Sequence, residues 1–240
     1  MRDSFFLHHQ KPVVRLLYAA SQLQGDRETQ EDYFVNWNDE CFVLCDGVGG
    51  MPHGREAAQL SGETAAWAYR FVRQRHAYWK DKKLLLSRIF RTTNITLWQK
   101  QREVGFTDGM ATTMIVAIII DQRFYIGSVG DSRAYLVHGG KMTLLTTDDV
   151  DGQGKLTKVI GASRYGLTPS VTTGDLLPGD SLVLMTDGVS QWMDEGKCVA
   201  LLRDPEQSAT DLSDTAVAML ECAREKGATD NMTVCLIKRI

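Results

Sequence analysis

Apolar residues recur along this chain with two different periods, and each period predicts its own kind of element. Alternating or continuous apolar runs between turn residues predict strands at Val13 to Ala20, Tyr33 to Asn36 and Cys41 to Cys45. From Arg55 to Trp79 the spacing changes to three and four. Ala58, Ala65, Ala66, Trp67, Tyr69, Phe71, Val72 and Tyr78 then recur at helical spacings. A second helix is expected from about Asp81 to Arg102, carried by Leu84, Leu85, Ile89, Ile95 and Leu97. Strands return at Ala111 to Ile120, Arg123 to Val129, Arg133 to His138, Met142 to Leu145, Val171 to Asp175 and Ser181 to Met185. A helix over Ser208 to Lys226 and a strand over Met232 to Lys238 close the chain. Strands and helices do not alternate regularly, so a doubly wound parallel sheet fits poorly. Two antiparallel sheets packed face to face, with helices outside them, fit better. The wholly apolar run Met114 to Ile120 suits a strand buried on both faces.

Bulk composition narrows the function without naming it. The chain has 240 residues and is 43% hydrophobic, enough to bury a substantial core, and no linker-like stretch divides it. One domain over residues 1–240 is expected. A net charge of -3 gives no electrostatic case for nucleic acid or for an anionic membrane surface. The five cysteines, Cys41, Cys45, Cys198, Cys222 and Cys235, form no CxxC pair and read as reduced thiols of a cytoplasmic protein. No apolar run is long enough to span a bilayer, and the first residues do not have the pattern of a signal peptide.

The acids stand in informative places. Asp46 ends the run FVLC, Asp131 ends FYIGSVG, Asp187 follows LVLMT, and Asp230 precedes NMTVCLI. A single aspartate at a strand end is ordinarily a turn former. Several of them converging on one cleft would repel one another unless a cation compensated. An oxygen-only donor set without His or Cys points to hard divalent ions, Mg²⁺ or Mn²⁺. Glycines after two of the acids, Gly47 and Gly188, would let backbone carbonyls approach a ligand. The cluster GDRETQED adds Arg27, whose planar fork matches phosphate oxygens, and Glu31 and Asp32 beside it. Alone, it reads better as a surface ion pair, which would contribute little.

Taken in order, Arg27-x-x-x-Glu31-Asp32, DGVGG at 46–50, GDSRAY at 130–135, LTKVIG at 156–161, TDGV at 186–189 and TDNMT at 229–233 resemble the PPM-type metal-dependent serine/threonine protein phosphatases, also called protein phosphatase type 2C. The resemblance runs from about Gly25 to Ile237, and the DGVGG form is similar to the bacterial branch. It implies an α+β fold: a four-layer α/β/β/α sandwich of two antiparallel sheets flanked by helix pairs. It implies two Mn²⁺ or Mg²⁺ ions and a third, weaker site. Asp46 would bridge the two ions, the Gly47 carbonyl would bind one of them, and Asp187 and Asp230 would bind the other. Asp131, with Asp187, would form the third site. Glu31 and Asp32 would act through metal-bound waters, and Arg27 would hold the phosphate. The implied reaction is hydrolysis of phosphoserine and phosphothreonine in proteins by a metal-activated water. The implied partners are phosphorylated proteins and a cognate bacterial serine/threonine kinase, with the enzyme monomeric.

The chain departs from the family pattern in three places. Val48 stands where eukaryotic members often carry a His after the metal-binding DG. Gln30 stands where Asn is common. Only six residues separate TTDD at 146–149 from LTKVIG at 156–161, so the flap segment is expected to be minimal or absent and the site open. The stretch DDVDGQGK lacks a full calcium-loop pattern and reads as a solvated turn. Rival readings are a catalytically inactive phosphoprotein-binding module, marked by loss of a metal acid, and a phosphatase of small esters. A nucleotide-binding reading of DGVGG fails for want of GxGxxG or GK[ST].

Overall fold

The computed structural model describes residues 15–74, 81–204 and 207–240. Within them the first strands are β1 (Leu16–Leu23), β2 (Asp32–Trp37) and β3 (Cys41–Asp46). Two helices follow, α1 (Gly54–Arg73) and α2 (Lys82–Lys100). Six strands come next: β4 (Met114–Ile120), β5 (Arg123–Val129), β6 (Arg133–His138), β7 (Lys141–Leu144), β8 (Ser170–Asp175) and β9 (Ser181–Met185). The chain ends with α3 (Asp187–Ser190), α4 (Glu195–Leu202), α5 (Ala209–Glu225) and β10 (Met232–Arg239).

The strands form two antiparallel sheets, ordered β1-β10-β9-β6-β7 and β2-β3-β4-β5-β8. Helices α1 and α2 cover the second sheet, and α4 and α5 cover the first. This is the expected four-layer sandwich. Strand alternation explains why its central strands are apolar throughout. Val43, Cys45, Met114, Val116 and Ile118 face α1 and α2. Their neighbours Phe42, Leu44, Ile115, Ala117 and Ile119 face the opposite sheet, where they meet Leu182, Leu184, Cys235 and Ile237. Val183, Met185, Val234 and Leu236 face α4 and α5. Each sheet is therefore buried on both sides.

Side-chain caps set three helix starts, one of them at α4, where Asp194 Oδ1 accepts from the Lys197 amide at 3.0 Å. Asp81 Oδ1 accepts from the amides of Lys83 and Leu84, both at 3.0 Å, so Asp81 precedes α2. Ser208 and Asp211 form a reciprocal capping box at the start of α5.

Several sequence expectations shift. The first strand begins at Leu16, because it is Leu16 to Leu23 that pairs with β10; Val13 and Val14 lie outside the described residues, as do Tyr78 and Trp79. The fourth strand begins at Met114, since Thr112 and Thr113 are drawn into bonds with Asp46 and Ile160. Trp67 and Phe71 do not join the core face of α1. They are 57% and 40% exposed and stack on each other with centroids 5.4 Å apart. Helices α3 and α4 are too short to show a helical period and were not expected.

Ile115 lies between the sheets at 0% exposure. Ile115→Ala is expected to cost about 2–5 kcal/mol in urea unfolding, whereas Trp67→Ala should change stability by no more than about 0.5 kcal/mol. Comparable losses in the two variants would contradict this placement of the core.

Candidate active site

The acids singled out in the sequence meet at one end of the sandwich. Asp46 ends β3, and Asp32 opens β2 directly across from it in the antiparallel register. Asp131 follows β5, Asp187 follows β9, Asp230 precedes β10, and Glu31 precedes β2. The strands thus deliver six carboxyl groups from both sheets to one place. A cavity of ≈ 330 Å³ opens there, lined by Arg27, Glu31, Asp46, Gly47, Asp131, Asp187 and Asp230. Arg27 is the sole basic side chain on its wall among the described residues. Asp32 lies behind that wall, 5% exposed.

Uncharged partners hold the acids in place. Asp32 Oδ2 accepts from Thr233 Oγ1 at 2.6 Å and from Thr186 Oγ1 at 3.0 Å, while its buried Oδ1 has no partner. Thr112 Oγ1 donates to the Asp46 carbonyl at 2.7 Å, and the Asp46 amide donates to Thr113 Oγ1 at 3.2 Å. Thr113 Oγ1 in turn shares a 2.8 Å bond with Ser132 Oγ, beside Asp131. Asn231 is the main tie of the N-terminal loop. Its Oδ1 accepts from the Glu31 amide at 2.8 Å, and its Nδ2 donates to the carbonyls of Gln24 and Thr29 at 2.8 and 3.0 Å. The loop carrying Arg27 and Glu31 is thereby fastened to the strand carrying Asp230. None of these neutral side chains stands out in the sequence; the only hints are the polar pair before β4 and the Asn inside TDNMT.

The two glycines after acids serve packing in the first place. A Cβ on Gly47 would lie 2.5 Å from the Gly54 backbone, and one on Gly188 would lie 2.1 Å from the Asn231 carbonyl oxygen. A side chain at either position would push apart the segments that carry the acids.

Crowding shows in the acid–base balance. Burial, reinforced by the charges of Asp32, Asp187, Asp131 and Asp230, raises the Asp46 carboxyl well above the ordinary carboxylate range. Burial and the neighbouring Asp187 push Asp131 up to about 6. Burial and the Asp230 charge raise Asp187, and burial raises Asp32 against the opposing effect of its two threonine bonds. An oxygen-only cluster with this excess of negative charge, and an orphaned buried carboxylate oxygen, has the chemistry of a hard divalent cation site. Among the described residues, however, no three such side chains are gathered around a single point. Two of the acids are engaged by other side chains. Arg27 Nη2 holds Asp230 Oδ2 at 2.6 Å, and Gln191 Nε2 holds Asp187 Oδ2 at 2.9 Å.

Three other positions matter. Val48 lines the cavity and offers no proton. His53 lies outside that lining, its ring against Phe106 with centroids 5.0 Å apart. The connection between β7 and β8 contains no helix or strand. Its DDVDGQGK part is a tight turn closed by the Val150–Leu156 bridge, with Asp151 Oδ1 accepting from the amides of Gln153 and Lys155. Leu156, which the sequence did not mark as a site residue, reaches the cavity from this connection.

Comparison with known proteins identifies the family. The model of the protein phosphatase 2C family matches residues 22–236, and the chain belongs to that family. It is 26% identical over 236 residues to the serine/threonine protein phosphatase PstP of Mycobacterium tuberculosis, covering 91% of this chain and 44% of that protein. The chain thus spans less than half the length of that relative. It is 25% identical to a putative protein phosphatase 2C-type of Streptococcus pyogenes, covering 89% of this chain and 93% of the relative. The catalytic domain of PstP, solved in complex with two manganese ions, superposes with a TM-score of 0.77 at 24% identity, covering 95% and 99% of the two chains.

The raised carboxyls make a prediction about stability. An acid whose folded pKa exceeds its unfolded value, about 4, holds its proton longer in the folded state. Its contribution to stability is intact below the unfolded value and is lost as pH rises through the folded value, about 6 for Asp131. In EDTA, the melting midpoint should therefore fall between about pH 4 and pH 7, and Asp46→Asn should flatten that fall. A variant slope equal to the wild-type slope would show that the cluster is not under charge strain.

Proposed function

We propose that this chain hydrolyses phosphoserine and phosphothreonine in proteins, with two Mn²⁺ or Mg²⁺ ions held by the carboxylates at the end of the sandwich. The observation that carries the reading is the convergence of Asp46, Asp131, Asp187, Asp230, Glu31 and Asp32 on one side of a cavity with Arg27 on its rim. Asp46, at the centre, would serve both ions, with the Gly47 carbonyl on one of them and Asp187 and Asp230 on the other. Asp131 and Asp187 would make a third, weaker site, and Glu31 and Asp32 would act through water. When bound, the ions acidify water and offset the charge of a phosphoryl group.

The chain's own residues supply the rest. The Arg27 guanidinium, about half exposed, can present its fork to phosphoryl oxygens and fix their orientation. Thr113 and Asn231 hold Asp46 and the Arg27 loop in place while charge develops on those oxygens. Val48 has no proton to give and His53 is turned to Phe106, so the leaving serine or threonine oxygen takes its proton from water. The absence of a covalent intermediate fits the cysteines: burial raises the thiols of Cys41, Cys45 and Cys235, which are poor nucleophiles. A monomeric, cytoplasmic enzyme opposing a serine/threonine kinase completes the proposal; no helix among the described residues is long and apolar enough to cross a membrane.

The test is hydrolysis of a phosphothreonine peptide with Mn²⁺, with Mg²⁺ and with EDTA. Metal-dependent release of phosphate is expected, abolished by EDTA. Asp187→Asn should lower kcat by at least about a hundredfold while preserving the circular dichroism spectrum. Arg27→Ala should mainly raise KM. A folded wild-type protein that releases no phosphate with either metal would instead favour a phosphoprotein-binding module.

A further inference from the structure

A second feature lies where the connection between β7 and β8 meets α2. A cleft of ≈ 190 Å³ is lined by Arg91, Asn94, Arg164, Tyr165, Gly166 and Leu167. Beside it, the Arg102 guanidinium lies 3.1 Å from the centroid of Trp98, and Arg164 lies 5.2 Å from Trp98 and 4.9 Å from Tyr165. Among the described residues none of Arg91, Arg102 and Arg164 has a carboxylate partner. Arg102 donates to the Trp98 carbonyl, and the adjacent Glu103 is taken by Lys100 at 2.5 Å. Three exposed guanidiniums without acids are unexpected in a chain of net charge -3.

The patch is held in a fixed shape. Asn94, buried in α2, accepts from the Gly161 amide at 2.9 Å and donates to the Ser163 carbonyl at 2.8 Å. Gln101 Nε2 donates to the Gly161 carbonyl at 2.8 Å. The loop bearing Arg164 is therefore pinned to the helix bearing Arg91. Guanidiniums stacked on aromatic faces keep their N–H edges free, and that edge geometry suits carboxylates and phosphates.

The patch is also tied to the carboxylate cavity. Ile160 pairs with Thr112 through two backbone bonds, at 2.8 and 3.3 Å, and the Thr112 hydroxyl holds the Asp46 carbonyl. Arg164 is four residues beyond Ile160, so their Cα atoms are at most about 14 Å apart. An extended peptide covers that distance in about four residues, and up to about twice that number allows for the further reach from Ile160 into the cavity.

We propose that this arginine–aromatic cleft receives an acidic segment of the phosphoprotein substrate, placed a few residues from the phosphorylated side chain. The proposal rests on the phosphatase reading above and adds a substrate class to it: phosphoproteins with Asp, Glu or a second phosphate near the scissile one. Charge complementarity carries the choice of partner. The carboxylate cavity repels acidic chain, and the cleft provides compensating cations.

The experiment compares two fluorescent phosphothreonine peptides of equal length, one with Glu about four to eight positions from the phosphothreonine and one with Gln there. Binding is read by fluorescence anisotropy in EDTA, without turnover. The acidic peptide is expected to bind about tenfold more tightly, with the preference fading at high salt. The double variant Arg91→Gln/Arg164→Gln should lose that preference and keep the wild-type rate on p-nitrophenyl phosphate with Mn²⁺. The proposal is overturned if the two peptides bind equally, if the preference survives in the folded double variant, or if a thymidine oligonucleotide binds these arginines more tightly than the acidic peptide. Failure of p-nitrophenyl phosphate hydrolysis in the wild type would strike the phosphatase reading alone, because the anisotropy measurement needs no catalysis.

Discussion

Like charges forced into one space are the constraint on which this molecule turns. Asp32 and Asp46 face each other across β2 and β3, and Asp131, Asp187 and Asp230 add their charges to the same cavity. Nothing in the acids themselves would hold them there. The apolar layers do: Phe42, Leu44, Ile115, Leu184 and Ile237 lock the two sheets together, and the strands can end only where that packing allows. The core and the site are therefore one design. Two sheets buried on both faces give rigid strand ends, and rigid strand ends carry groups that would separate if they were free to move.

Neutral side chains manage this repulsion locally. Thr186 and Thr233 bind one oxygen of Asp32 and leave the other buried and unpartnered, a costly arrangement for a carboxylate. Asn231 fastens the Arg27 loop without adding charge, whereas an Asp in its place would enlarge the excess. Gly47 and Gly188 allow backbone segments to lie against each other at distances no side chain permits, which draws the acids inward. Glycine after acid, read in the sequence as access for a ligand, is first a requirement of packing.

Much of this was legible in the sequence. Strand period, helical period and the acids at the ends of apolar runs gave the layers, and β5, β6 and β9 fall at the expected residues. Errors arose where tertiary context decides. Trp67 stands about half a turn around α1 from Ala58 and Ala65, so the position on the helix, not the apolar character of the side chain, turns it outward. Helix α3 is a single turn and has no period to detect. Of the cavity's charged residues, Asp46, Asp131, Asp187 and Asp230 drew notice at the ends of apolar runs, where each alone reads as a turn former, and Arg27, Glu31 and Asp32 gained weight only from the order of motifs that resembles the family. The parts played by Asn231, Thr113 and Leu156 were only hinted at, since they lie in contacts with residues far away in the chain.

Arg27 and Asp230 connect the resting geometry to the proposed chemistry. Their bidirectional attraction is the largest effect raising the arginine's pKa, and at 2.6 Å the pair occupies both groups. An arginine bound to Asp230 is not fully available to a phosphoryl oxygen, and an Asp230 bound to arginine is not fully available to a cation. The ion pair uses only Nη2 of the guanidinium and Oδ2 of the carboxylate, so the two functions proposed for these groups compete with it in part and are compatible with each other. In the proposed reading, a cation on Asp230 or a phosphate on Arg27 would weaken the pair and leave the other group more available. The pair is half exposed, so little stability is lost on parting it. Carboxylates that repel one another, with an arginine held by one of them, make a centre poised to exchange that internal pair for a cation on one side and an anion on the other.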